Sequence, residues 1–332
     1  MRIFVAGAGG ALGTQLVRHL VADRHEVIGF TRSAAHAQVV QQLGVSRSIT
    51  GDALNPSSIR AALESTRPEA VVHAFTAIPK RGPWRASDLE QTNKLRVRGT
   101  KQLLDATIAV GARRLIVESM VFVYGYGDLG PDLLNEETGA VKNVPKGWLR
   151  SSIDALVDME TQVMDASRKG SIEGIVLRFG GLYGPRAGTE ITARLLRRRW
   201  LPLIKDSDDS VIPLVHVEDA AIATVAALCH GRAGEVYNIV DDEPVSFAVL
   251  VRHLAATIGV PQPRTVPRWF VRLVAPYAAA SWLGTKMRVS NAKAKRELQW
   301  KPRFTNYRAG IAEFSRMDKL LKLHLLNRNG RT

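Results

Sequence analysis

Apolar, β-branched runs recur along the chain. Most are followed by a stretch whose apolar positions fall three or four residues apart. "RIFVAG" (2–7) precedes a segment at 13–23 with Leu16, Val17, Leu20 and Val21 on one helical face. "HEVIGFTR" (25–32) precedes "AAHAQVVQQLG", and a weaker run, "SRSITGD" (46–52), precedes "PSSIRAALEST", which opens on the helix-start residues Pro56 and Ser57. "EAVVHAF" (69–75) precedes a long helix within 86–110 carrying Leu95, Leu103, Leu104 and Ile108, and "RRLIVESM" (113–120) and "GIVLRFGGLYGP" (174–185) read as fifth and sixth strands. Strand and helix periods in alternation predict an α/β fold, a doubly wound parallel sheet with helices on both faces.

Two stretches break this rhythm. Residues 125–150 are rich in Gly, Pro and Asn, show no period, and are expected to form a long loop over the site. Beyond about 186 the elements are less regular and prolines recur at 202, 213, 244, 261, 263, 267 and 276. The expected organisation is a dinucleotide-binding part over 1–185 and a smaller substrate-side part over 186–315, with 215–240 returning to the sheet. A basic tail at 316–332 follows.

Composition narrows the class. Apolar residues make up 45% of 332, which supports a sizeable core and excludes a disordered chain. The first residues run directly into a glycine turn with no cleavage site, and no apolar run nears the roughly 20 residues of a membrane span. Cys229 is the one cysteine, so an internal disulfide and a multi-cysteine metal site are excluded, and a cytoplasmic protein without a metal is expected. Lys and Arg number 46 against 31 Asp and Glu, a net charge of +15. The basic residues crowd at "ARLLRRRW" (193–200), at "NAKAKREL" (291–298) and in the tail. They read as a solvated face or a funnel for anionic ligands. No zinc-finger, RNP-like or basic-zipper pattern points to sequence-specific nucleic acid. The expected partner is a small molecule, aromatic or anionic, and the expected assembly a monomer or homodimer.

The chemistry starts at "GAGGALGTQL" (7–16). Gly7, Gly10 and Gly13 lie between a strand and a helix. The first allows a tight turn, the second lets the backbone approach a pyrophosphate, and the third lets helix and strand pack closely. Ala11 and Leu12 share the helix N-terminus. This spacing resembles the short-chain dehydrogenase/reductase superfamily. The likeness extends through "TGD" (50–52), "VVHAF", "RGTKQLLDATIAVGARRLIVES", "VYG" (123–125), "LRFGGLYGP" (177–185), "VHVEDAA" (215–221) and "AKRELQWKP" (294–302). Over roughly residues 1–310 the chain resembles the extended, atypical branch, the NAD-dependent epimerase/dehydratase-like group. The resemblance implies a Rossmann-like sheet. It also implies cofactor contacts at Asp52, Ala53, Ala74, Phe75, Thr76, Gly180 and Gly181. Where the family holds the ribose with an acidic residue after the second strand, this chain has Thr31 followed by Arg32. An arginine there suits the 2′-phosphate of NADP(H) better than NAD(H).

The resemblance also exposes a gap. Family chemistry uses a tyrosine and a lysine four residues apart on one helix, and a hydroxyl after the fifth strand. Aligning "SSIDALVDMETQVMDA" (151–166) on Glu160 puts Ser152 at the tyrosine and Leu156 at the lysine. "ESMVFVYG" puts Met120 at the hydroxyl position, and Arg96 stands where the family has asparagine. Ser119, Ser152 and Tyr124 remain as candidate proton donors, each with a bland alternative: a buried hydroxyl, a helix cap, a packing ring. One reading is an NADPH-dependent carbonyl reductase of a specialised-metabolite or polyketide-like substrate, working with water, one of these hydroxyls, or an acidic hydroxyl of the substrate. Atypical family members that lack the tyrosine yet reduce ketones set the precedent. Others are a redox-silent NADP-binding sensor or assembly protein, a basic nucleic-acid or membrane-surface binder, and a nucleotide-sugar epimerase/dehydratase. Tyr183, His73 and His216 read as structural, and Glu218 with Asp219 as helix-start residues. Trp148, Trp200, Phe270, Tyr277 and Trp282 suit a pocket for a flat substrate or a second small core.

Overall fold

The computed structural model describes residues 1–79, 82–83, 85–139, 148–204, 209–276 and 284–317. Along the chain, β1 (Arg2–Ala6), α1 (Ala11–Ala22), β2 (Glu26–Thr31), α2 (Ala34–Gln42), β3 (Arg47–Thr50), α3 (Pro56–Glu64) and β4 (Ala70–His73) alternate strictly. A helical run then passes through α4 (Glu90–Lys94), a π-helical turn at Leu95–Gly99, and α5 (Thr100–Ala109) into β5 (Arg114–Met120). Next come β6 (Asp128–Leu134), α6 (Trp148–Arg168), β7 (Glu173–Phe179), β8 (Gly181–Tyr183), α7 (Thr189–Arg197), β9 (Leu203–Ile204) and β10 (Leu214–His216). Then follow α8 (Val217–His230), β11 (Glu235–Ile239), α9 (Phe247–Thr257), β12 (Thr265–Val266), α10 (Arg268–Val274), β13 (Lys286–Val289) and α11 (Ala292–Glu297), and the described residues end in helix over 307–317.

The central sheet has seven strands in the order β11-β7-β5-β4-β1-β2-β3, and every neighbouring pair is parallel. β1 pairs with both β2 and β4, so the strand order reverses beside it, where an open α/β sheet leaves a crevice at its carboxyl edge. Helices cover both faces, which is why the strands read as unbroken apolar runs rather than alternating ones. Phe4, Val71, Leu115 and Val117 pack against α5 and α6 through Leu103, Leu156, Met159 and Val163. Val5, Val72, Ile116 and Leu177 pack on the opposite face, with Leu16, Leu20, Ala223 and Ala227 of α1 and α8. A separate cluster formed beyond the central sheet joins Tyr183, Leu196, Leu214, Val251, Tyr307 and Phe314.

Three expectations change. The stretch read as a loop at 125–150 contains β6, paired in parallel with β13, while residues 140–147 lie outside the described ones. Gly130 and Pro131 interrupt that strand and most of its residues face solvent, so it carries no apolar period. The run at 174–185 is two strands, because the chain turns at Gly180 and β8 leaves the central sheet to pair with β10. A Cβ on Gly180 would lie 2.8 Å from the Pro213 carbonyl, a separation no side chain tolerates. Finally, α6 starts at Trp148, so Ser152 lies inside the helix and does not cap it.

Candidate active site

The glycine turn fits a dinucleotide diphosphate. Gly7 sits at φ 96°, and a Cβ there would lie 2.2 Å from the Ala74 carbonyl; on Gly13 it would lie 2.3 Å from the carbonyl of Gly7. The turn is therefore pressed against the end of β4, and α1 against the turn. Gly10 is looser: its added Cβ meets only the Gly7 carbonyl, at 3.2 Å. Gly10 is also the N-cap of α1, supplies no side-chain bond, and no acidic residue occupies the first turn. The N–H groups around Ala11, Leu12 and Gly13 thus lie at a positively polarised helix end that no side chain neutralises.

The end of β2 sits beside this turn. Thr31 is buried and its hydroxyl donates to the Ser33 carbonyl at 3.2 Å. Arg32 is exposed and has no side-chain partner among the described residues. Ser33 caps α2, its Oγ accepting from the His36 N–H at 3.4 Å. His36 lies against Gly9, where an added Cβ would come within 2.7 Å of its own. Arg32, Ser33 and His36 therefore share the mouth of the turn. The sequence reading missed His36, which only the contact with Gly9 brings into the site.

The remaining family-implied cofactor positions divide. Asp52 and Thr76 are exposed, whereas Ala53, Ala74 and Phe75 are buried. The Asp52 carboxylate accepts from the Leu54 N–H at 2.9 Å and so shapes its own turn. Phe75 stands edge-on to Phe30, 6.2 Å between centroids. Gly180 and Gly181 are buried, with their N–H groups bonded to the Ile239 and Pro213 carbonyls.

Two of the three candidate proton donors, Ser119 and Tyr124, are bonded into the interior. Ser119 is fully buried and donates to Glu160 Oε1 at 2.5 Å. Arg178 holds the same carboxylate, with Nη2 at 2.7 Å from Oε2 and Nε at 3.0 Å from Oε1. Its Nη1 donates to the Tyr124 hydroxyl at 3.0 Å, and its guanidinium lies over the Tyr124 ring. The Tyr124 oxygen also stands 2.8 Å from the Asn135 carbonyl and 3.0 Å from Asn238 Oδ1. Burial raises the Tyr124 pKa above its ordinary value, and the Arg178 charge only partly opposes this. A hydroxyl that resists ionising is a poor acid. Ser152 is 3% exposed within α6, next to Ile153, and Leu156 belongs to the core against β5.

Other groups occupy the end of β5. Arg96, in the π-helical turn and 7% exposed, donates to Asn93 Oδ1 at 3.2 Å and reaches Met120 Sδ at 3.6 Å. Such turns cluster at functional sites. Glu118 is two residues before Met120 and shares its strand face. It is surrounded by protein yet only partly shielded from solvent, and burial pushes its carboxyl up to about 7 against the pull of Arg96. The sequence reading passed over Glu118; the signal was a carboxylate in an otherwise apolar strand. His73 is pushed down to about 4 by burial and is therefore neutral at pH 7; its Nε2 shares a hydrogen with the Thr100 hydroxyl at 3.0 Å.

The candidate residues beyond 186 are mostly held in structural contacts or exposed. His216 caps α8, its ring accepting from the Glu218 N–H at 3.3 Å. Asp219 does more than start a helix: its carboxylate accepts from the Arg303 and Phe304 N–H groups at 2.7 and 2.8 Å, tying the C-terminal segment to α8. Trp200 and Phe270 are exposed, at 67% and 40%, so neither belongs to a second small core among the described residues. Tyr277, Trp282 and the side chain of Trp148 lie outside the described residues, as does most of the tail. Among the described residues no His, Cys, Asp and Glu cluster suits a metal, and no helix is long and apolar enough to cross a membrane.

A parallel sheet with an uncapped glycine turn at its switch point is the frame of a dinucleotide-dependent enzyme. The chain belongs to the NAD dependent epimerase/dehydratase family, whose profile matches residues 3–240. It is an NAD(P)-dependent oxidoreductase of that extended short-chain dehydrogenase/reductase type. It is 33% identical over 314 residues, 94% of this chain and 99% of the relative, to a 3-diazoavenalumate denitrifying reductase of a Streptomyces species. It is 26% identical over 305 residues to a 2-alkyl-3-oxoalkanoate reductase of Shewanella oneidensis, covering 87% of this chain and 73% of that one. A UDP-glucose 4-epimerase of Thermotoga maritima superposes with a TM-score of 0.80 at 20% identity, covering 97% of this chain and 100% of that one, a likeness of fold alone.

Proposed function

We propose that the chain is an NADPH-dependent reductase that transfers hydride to an acceptor needing no hydroxyl acid from the protein. The observation that carries this reading is the contrast between an open diphosphate turn and two hydroxyls, Ser119 and Tyr124, bonded into the interior. When bound, the nicotinamide supplies the hydride; the protein holds, orients and shields the reactants. Arg32, beside Ser33 and His36, supports NADPH, because an exposed guanidinium pairs with a 2′-phosphate that a carboxylate would repel.

The Streptomyces relative's name joins a diazo substrate to loss of nitrogen. That chemistry suits this site. An aryl diazonium carbon that takes a hydride and expels dinitrogen gives a neutral arene, with no proton consumed. A second reading, a ketone, is favoured by the 2-alkyl-3-oxoalkanoate reductases, at 26% and 29% identity. A ketone needs a proton for its alkoxide. The Glu118 carboxyl, protonated up to about pH 7, or an acidic hydroxyl on the substrate would supply it.

One experiment separates these. NADPH oxidation is followed with aryl diazo acids and with aromatic and β-keto acid ketones, using the wild type and Glu118→Gln. On the diazo reading the variant keeps its rate within a few-fold. On the ketone reading with Glu118 as donor it loses roughly 10²–10⁴-fold. Tight NADPH binding with no turnover of either panel would overturn both.

A further inference from the structure

We propose that Arg186 is a diphosphate-binding residue, reaching from the substrate-side part of the chain to close over the glycine turn. Arg186 follows the "LYGP" stretch and precedes α7. Its Nη2 donates to the carbonyl of Gly9 at 3.3 Å, across 177 residues of sequence. This is its one side-chain partner among the described residues, so the rest of a five-donor guanidinium is left for a ligand.

The segment is built to hold that arginine where it is. Arg186 sits at φ 64°, in the left-handed region that side chains other than glycine rarely adopt. Strain of this kind persists where surrounding bonds impose it. Here the Arg186 N–H donates to Glu190 Oε1 at 2.7 Å, the Gly184 N–H to Thr189 Oγ1 at 2.9 Å, and the Ala187 N–H to the Gly184 carbonyl at 3.2 Å. The outcome is a guanidinium against the same turn that opens the uncapped, acid-free end of α1. A guanidinium and an uncapped helix N-terminus facing one turn both favour an anion there. In this family's cofactor turn, that anion is the dinucleotide diphosphate. The bond also crosses from one part of the chain to the other and ties the 184–188 segment to the glycine turn.

The test is a binding measurement. Calorimetry with NADPH, ADP and adenosine 2′-monophosphate is run on the wild type, Arg186→Ala and Arg186→Lys, with thermal melts as a folding control. Arg186→Ala is expected to weaken NADPH and ADP by roughly 10- to 100-fold, the range for a hydrogen-bonded charge. Adenosine 2′-monophosphate, which lacks the diphosphate, is expected to bind unchanged, and Arg186→Lys to retain part of the affinity. Unchanged ADP binding would overturn the proposal. So would an equal loss for all three ligands in a folded variant, which would make Arg186 a shaper of the turn only. If Arg186→Ala does not fold, Arg186→Lys carries the same comparison of ADP with adenosine 2′-monophosphate. Loss of diphosphate affinity leaves the reductase reading intact, and absence of turnover leaves this one intact.

Discussion

The glycine turn and the Ser119–Glu160–Arg178–Tyr124 network lie at the same carboxyl edge of one sheet, yet they are built in opposite ways. In the turn, side chains are removed: Gly7 and Gly13 allow backbone to touch backbone, and α1 begins without a cap. Polar groups are left open there for a ligand. In the network every polar group is spent on another. Glu160 takes a serine and a guanidinium, and the guanidinium takes a tyrosine. A hydroxyl near the end of a central strand is therefore not a catalyst by position alone; what it already bonds decides.

The comparison breaks first at Glu160. Glu160→Ala leaves the 7%-exposed Arg178 charge without its carboxylate and is expected to cost about 3–5 kcal/mol in denaturant unfolding. A loss below about 1 kcal/mol would mean that the network is not closed. Gly13→Val tests the turn. It is expected to cost about 1–3 kcal/mol of stability through overpacking, and to abolish NADPH binding in calorimetry. Retained affinity would contradict the close packing of α1 on Gly7.

Acid groups elsewhere sharpen the contrast through pH. Asp241 accepts from the Tyr183 hydroxyl at 2.9 Å, and burial raises its carboxyl to about 8 from an ordinary 3.8. Between these values the folded chain holds a proton that the unfolded chain has released, so this group's contribution to stability falls as pH rises from about 4 to 8. His73 and His216, lowered from 6.5 to about 4, act the other way and favour the fold as pH rises through that interval. Asp241→Asn keeps an acceptor for Tyr183 and is expected to gain about 1–3 kcal/mol on the wild type at pH 8, with the gain vanishing near pH 4. A difference in melting temperature that does not change with pH would contradict this. The smallest expected effect is at Arg32, where Arg32→Ala should shrink the NADPH-over-NADH preference roughly tenfold, read by calorimetry.

Much of the frame was legible in the sequence, because apolar runs and helical spacing report burial directly. β1 through β5 fall within a few residues of their predicted ranges for that reason. β6 was not legible: its partner β13 lies far along the chain, and a mostly exposed strand with a Gly-Pro break carries no period. The glycine turn was legible because its function needs the absence of side chains, which a sequence shows. The closure of Ser119 and Tyr124 was not, because Glu160 reaches the serine from α6, and Arg178 and Asn238 reach the tyrosine only through pairing of β5 with β7 and of β7 with β11. Arg186 and His36 enter the site for the same reason, through contacts with Gly9 that no local pattern announces.

The central claim is that hydride transfer here uses no hydroxyl acid from the protein. Single-turnover NADPH oxidation with the accepted substrate, measured for Ser119→Ala, Tyr124→Phe and Ser152→Ala against the wild type, tests it most directly. The account predicts rates within about fivefold of the wild type for all three folded variants. A loss of roughly 10²–10⁴ in any one of them would identify that hydroxyl as the general acid and contradict the account.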